Sequence, residues 1–248
     1  FWIYYLWSQS MSETFVDNNI AISINDISKT YRQKIAIKSL SIVLEKNKIY
    51  GLIGRNGSGK STLLNIISDE EQATHGNVTL SSDANVGIVS STKGYPNFIS
   101  LGGISSLFKA SHKKWDVERY KAVLNIFALD EKRKYGDLST GEAAGVKLAA
   151  MLAQKPNIWL LDEATLGIDI FAHWQCLTTL LEYFIEDQPC VLFCTHELSE
   201  IDRLAEEVII MDSGKIYWQG DKDELIIDHQ SLSETIFSMF EKLQRQSA

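Results

Sequence analysis

The segment Gly54-Arg55-Asn56-Gly57-Ser58-Gly59-Lys60-Ser61, followed by Thr62, constrains this chain more than any other. It fits G-x-x-x-x-G-K-[ST], and its flanks agree with the pattern. Lys48-Ile49-Tyr50-Gly51-Leu52-Ile53 reads as a buried strand entering the loop, and Ser61-Thr62-Leu63-Leu64-Asn65-Ile66-Ile67 as a helix leaving it. Glycines let the backbone curl so that successive N–H groups point inward at phosphate oxygens, and the helix N-terminus adds its positive dipole end. Lys60 is expected to reach the β- and γ-phosphates of a nucleoside triphosphate, and the Ser61 hydroxyl to ligate Mg2+.

A phosphate loop needs a second, acidic element downstream. Asn157-Ile158-Trp159-Leu160-Leu161-Asp162-Glu163 supplies it. Four apolar residues in a row suit a strand buried on both faces of a parallel sheet. Asp162 then emerges at the strand's C-terminal end, where ligands bind in open α/β sheets, and is placed to hold Mg2+. Glu163 beside it is placed to act as general base toward an attacking water, a role worth about 10²–10⁴ in rate.

Composition limits the setting. A chain of 248 residues can bury a sizeable core as one large domain or a domain with an insertion. Its net charge of −8, with no long Lys/Arg run, argues against a broad nucleic-acid surface, and no nucleic-acid partner is expected. Cys176, Cys190 and Cys194 sit in apolar surroundings and read as reduced packing residues. No apolar run approaches the roughly 20 residues that span a bilayer, so any membrane role runs through a partner. Phe1 to Trp7 is apolar and aromatic but precedes Met11, which looks like a natural start. Residues 1–10 are therefore read as a tag or non-native extension.

Between the loop and the acidic strand lies Asp137-Leu138-Ser139-Thr140-Gly141-Glu142, then a helical run into the strand. This resembles the signature motif of ABC-type ATPases. The order of phosphate loop, signature, Asp-Glu strand and late histidine spans nearly all of residues 20–220, and the chain resembles an ABC transporter ATP-binding subunit of the bacterial export type. The resemblance implies an α/β P-loop NTPase core with a mainly parallel sheet, an antiparallel β subdomain and an inserted helical subdomain. It implies Mg-dependent ATP hydrolysis, with Ser139, Thr140, Gly141 and Glu142 meeting the nucleotide held by the other subunit of a head-to-tail dimer. Tyr31 resembles the aromatic residue that stacks on adenine. Asp169, in Leu166-Gly167-Ile168-Asp169, resembles the D-loop residue coupling two sites, and His196 the switch histidine that contacts the γ-phosphate. With Gly54, Asn56, Gly57, Ser58, Gly59, Lys60, Ser61 and Thr62, these form the expected nucleotide site.

The chain departs from the family pattern at several positions. Ser91 stands where the Q-loop glutamine is usual and is too short to make that residue's contact to Mg2+ and water. Thr140 replaces a glycine, Glu142 a glutamine, Gly145 a common arginine and Ala164 a proline. None removes a phosphate, metal or base group, so hydrolysis is still expected.

Patterning divides residues 11–248 into a core over about 20–94 and 155–230, a helical signature subdomain over about 95–154 and a C-terminal amphipathic helix over about 231–245. Helical patterns include Val117 to Leu129 and Glu142 to Leu152. The charge clusters Asp116 to Tyr120 and Asp130 to Lys134 read as solvated helix faces or turns. The leading expectation is an ATPase subunit that pairs with itself or a second ABC ATPase subunit and drives a separate transmembrane permease. Its place would be cytoplasmic and peripheral, on the inner face of the membrane. The alternatives are a soluble ABC ATPase of an assembly complex, such as iron–sulfur cluster biogenesis, and a regulatory module that closes on ATP without useful hydrolysis.

Overall fold

Three strands, β3 (Ile49–Gly54), β6 (Ile158–Asp162) and β7 (Cys190–Cys194), are buried along their whole length. The computed structural model, which describes residues 19–225 and 231–246, places them together at the centre of a six-stranded sheet. Its order is β5 (Val86–Val89), β6, β7, β3, β8 (Glu207–Asp212), β9 (Lys215–Asp221), parallel except for the β8–β9 hairpin. Because side chains alternate along a strand, these apolar runs feed two cores at once. Trp159, Leu161, Val191 and Phe193 face one side, and Ile158, Leu160, Cys190, Leu192 and Cys194 the other. Full burial of one such large apolar side chain stabilises by about 1.5–3 kcal/mol.

The second core is closed by a three-stranded antiparallel sheet, β2 (Lys34–Glu45), β1 (Ile20–Tyr31), β4 (His75–Leu80), and by helix α1 (Lys60–Ile67). The first is closed by helices α2 (Leu101–Ser111), α3 (Val117–Ile126) and α4 (Thr140–Leu152), which lie between β5 and β6 in the chain. Helices α5 (Ile170–Asp187) and α6 (Leu198–Leu204) complete it. The short α7 (Lys222–Leu225) leads to the C-terminal helix α8 (Leu232–Gln246), which buries Leu232 and Ile236. This is the expected α/β P-loop NTPase fold with its antiparallel and helical additions. The proposed extension 1–10 and the stretch 226–230 lie outside the described residues. No described helix is long and apolar enough to cross a membrane.

Two local expectations are corrected. The helix expected to reach Leu129 stops at Ile126, because Ala128 adopts a left-handed backbone (φ 50°) and the Leu129 N–H turns back to the Leu124 carbonyl. The cluster Asp116 to Tyr120 is not a solvated face. Asp116 caps α3, accepting from the Glu118 and Arg119 N–H groups, while Tyr120 is buried with its hydroxyl on the Leu101 carbonyl. Arg119 is buried too, paired with Asp187 and, at 2.9 Å, with Glu186, and its guanidinium lies 4.0 Å from the Tyr183 ring centroid. A buried guanidinium requires such partners; here they tie the inserted helices to the end of α5.

The cysteines are free and buried as expected. Burial pushes Cys176 and Cys190 up to about 12 and raises Cys194 as well, so they remain protonated thiols.

Candidate functional site

Strands β6, β7 and β3 are neighbours in register: Asp162 and Leu52 both pair with Cys194. Their C-terminal ends therefore open on one rim. The phosphate loop leaves β3, Asp162 and Glu163 end β6, and His196 follows β7. One cleft brings together Asn56, Gly57, Gly59, Lys60, Ser61, Thr62, Asp162, Glu163, His196 and Tyr31, with Lys34, Ala36 and Ser91 added.

The loop is held in shape from behind. Gly59 has φ 109°, and a Cβ there would lie 2.6 Å from the Ala36 carbonyl oxygen, so only glycine fits. The Gly214 N–H donates to the Ser58 carbonyl at 3.0 Å, making the Ser213-Gly214 turn a brace for the loop. Lys60 is buried and its ammonium donates to the loop carbonyls of Gly54 (2.6 Å) and Arg55 (3.2 Å). Those bonds keep a desolvated cation in place beside the cleft.

Asp162 is 5% exposed and accepts from the Ser91 hydroxyl at 3.1 Å. Lys147, on α4, donates to the Ser90 carbonyl at 2.7 Å, so the signature helix reaches the residue next to Asp162's partner. Glu163 adopts φ 52°, a left-handed backbone uncommon for a residue other than glycine, while its N–H donates to the Cys194 carbonyl at 2.9 Å. Its Oε1 lies 3.2 Å from His196 Nε2 but makes no well-aligned hydrogen bond, although it is shut from solvent. Burial, reinforced by the Asp162 charge, raises the Glu163 pKa above its ordinary value of 4.5 against the opposing pull of His196 and Lys60.

Tyr31 is half exposed; its hydroxyl bonds Glu71, and the Lys29 ammonium stands 5.0 Å from its ring centroid. It lines the cleft with Lys34, its partner across the hairpin turn. The signature residues are elsewhere. Ser139 and Thr140 line a separate cleft with Thr92, Tyr95, Asn97 and Lys147, and Ser91 borders both. Ser139 caps α4 and shares a capping box with Glu142. Glu142 also pairs with Arg133 at 2.6 Å, so its carboxylate is already engaged; that ion pair first, then the Ser139 N–H, holds its pKa below the usual range. Gly141 packs on the D-loop, where a Cβ would meet the Gly167 carbonyl oxygen at 2.3 Å. Asp169 caps α5, accepting from the Phe171 and Ala172 N–H groups.

The sequence did not point to Lys34, Ala36, the Gly214 brace or the Ser91–Asp162 bond. Each depends on segments distant in the chain being brought together by the fold, for which a linear motif carries no signal.

The sequence profile of the family described as ABC transporter matches residues 37–166. The chain belongs to the ABC transporter family. This ABC ATPase is 28% identical over 216 residues to the ABC transporter ATP-binding protein YtrB of Bacillus subtilis (strain 168), covering 82% of the chain and 73% of YtrB. It is also 28% identical over 210 residues to the energy-dependent translational throttle protein EttA of Escherichia coli (strain K12), covering 82% of the chain but spanning only 37% of EttA. Among solved structures, a dimeric ATP-binding cassette in a post-hydrolysis state bound to ADP and Pi shares the fold, with a TM-score of 0.70 at 22% identity over 81% of this chain and 98% of that one. The ABC ATPase domain thus accounts for the architecture, and ATP is its nucleotide.

Proposed function

We propose that this ABC ATPase is the energy-supplying subunit of a transporter, closing as a head-to-tail pair on two ATP molecules and driving a separate membrane permease. The pairing rests on the separation of the two half-sites, Ser139 and Thr140 lining a different cleft from Lys60, Asp162 and Glu163, and the transport assignment on the similarity to YtrB, an ABC transporter ATP-binding protein. A γ-phosphate held in the first cleft then requires the signature of a second subunit. Leu166, Ile170, Phe171 and Trp174, exposed apolar residues around the D-loop, supply surface for such a pairing.

In this reading the loop N–H groups and Lys60 bind the β- and γ-phosphates, with Lys60 exchanging its loop carbonyls for phosphate oxygens. The half-exposed Tyr31 ring supports adenine. The chain fits Mg2+: Ser61 and the buried Asp162 carboxylate are oxygen donors of the kind that ion takes, and both border the phosphate cleft. Bound there, Mg2+ would neutralise charge on the phosphate oxygens. Glu163 accepts the proton of the attacking water as its oxygen bonds to the γ-phosphorus and the bond to the β–γ bridging oxygen breaks, leaving ADP and phosphate. His196 positions Glu163 and faces the γ-phosphate. Glu142, engaged by Arg133, acts by fixing the signature helix and not by touching nucleotide.

Co-expression with the neighbouring genes tests the transport assignment: a polytopic membrane protein should co-purify and stimulate ATP turnover. The similarity to EttA favours a second reading, an ABC ATPase working without a permease. A partner outside the membrane that stimulates turnover in the same experiment would select it.

A further inference from the structure

The start of α5 and the start of α6 meet beside the phosphate cleft, outside its lining. There His173, Glu197 and Glu200 each offer a ligand atom, all within 4.8 Å of one another, the one such convergence of His, Cys, Asp or Glu among the described residues. Glu200 is 2% exposed, an unusual place for a carboxylate. Its Oε1 accepts from the Thr165 hydroxyl at 2.8 Å and is bonded to His173 Nε2. Its Oε2 is shut from solvent and has no hydrogen-bond partner. The Thr165 hydroxyl and the His173 ring nitrogen therefore crowd on one oxygen, and the other is left bare, which is costly for a buried polar group. Glu197 is exposed and, although it stands at the N-cap of α6, makes no capping hydrogen bond.

We infer that His173, Glu197 and Glu200 form a binding site for a divalent transition cation of the Zn2+ class, bridging the helix that follows the D-loop to the helix that follows His196. A cation supplies what the buried carboxylate lacks, a positive partner for its second oxygen. One imidazole nitrogen with two carboxylates suits Zn2+, Mn2+ or Co2+ better than Mg2+ or Ca2+, which prefer oxygen donors alone. The division of labour is physical. Glu200 is rigid, held by Thr165 in the way that outer partners orient a metal-binding carboxylate. His173 is fixed one turn into α5, and its side chain is partly open. Glu197, on the solvent side, is free to swing in as the ion enters and completes three protein ligands, leaving further positions for water.

The site sits four residues past Asp169 and one past His196, so a bound cation would fasten the D-loop to the switch histidine's loop. It uses none of the groups assigned to the nucleotide, and its existence does not depend on the transport reading.

The test is calorimetric titration of Zn2+ into the full-length, chelator-stripped chain without nucleotide, followed by Co2+ as a spectroscopic probe. One saturable Zn2+ per chain is expected, with visible Co2+ absorption characteristic of nitrogen and oxygen ligation. His173→Ala and Glu197→Gln should each weaken Zn2+ binding by about tenfold or more, as losing a metal-site group does. Glu197 is exposed, so Glu197→Gln should fold normally and carries the test even if His173→Ala does not. Absence of saturable binding overturns the inference, as does binding that Glu197→Gln leaves unchanged, which would place the ion at another site.

Discussion

The Ser91 hydroxyl donates to Asp162 Oδ2 at 3.1 Å, across from the end of β5 to the end of β6. At the position where a longer glutamine is usual in the family, this chain ties the Asp162 carboxylate, the proposed Mg2+ partner, directly to a short side chain. Hydrogen bonds to charged groups contribute about 1.5–3 kcal/mol. Ser91→Ala should therefore lower ATP turnover about tenfold and raise the Mg2+ concentration needed for half-maximal rate. Steady-state rates measured across an Mg2+ series check this; an unaltered Mg2+ dependence would separate Ser91 from the metal.

Glu163 gives a pH signature of its own. Its pKa lies above 4.5 mainly through burial, and the base must be ionised to work, so turnover should fall on acidification from a higher pH than an ordinary glutamate would require. The sign for stability runs the other way from most carboxylates. A group whose folded pKa is raised favours the fold while protonated, and that contribution disappears as pH climbs through the folded pKa. Glu163→Gln, neutral throughout, should raise the melting temperature at pH 7 relative to the parent chain, and the gap should narrow as the solution is acidified towards the unfolded value. Thermal melts of both chains at a series of pH values decide it.

Gly145 and Phe127 explain another departure. A Cβ on Gly145 would lie 2.2 Å from the Phe127 ring, so the ring occupies the space a side chain on α4 would take. Gly145→Ala should destabilise the chain by about 1–3 kcal/mol despite the better helix propensity of alanine. Adding Phe127→Leu should restore part of that loss, a coupling expected only of residues in contact. Chemical denaturation of the two single variants and the pair measures it.

Much of this was legible because the motifs are local. The phosphate loop, the Asp162-Glu163 strand end and His196 each follow a short apolar strand whose burial is written in consecutive residues, and parallel pairing then brings the three ends together without further information. Contacts between distant segments were not legible. Arg119 looked like a surface charge because its partners, Glu186 and Asp187, lie at the far end of α5. The early stop of α3 depended on one left-handed alanine, which composition does not signal. The ion pair of Glu142 with Arg133, nine residues upstream, was not legible either.

The central claim is that one chain carries two halves of two different sites, so that ATP should join chains in pairs. The direct measurement is the mass of the Glu163→Gln chain by light scattering during size-exclusion chromatography, with and without Mg-ATP. The account predicts a monomer without nucleotide and a stable dimer with it, reverting to monomer when Ser139→Arg blocks the signature. A Glu163→Gln chain that binds ATP yet stays monomeric at every concentration would contradict it.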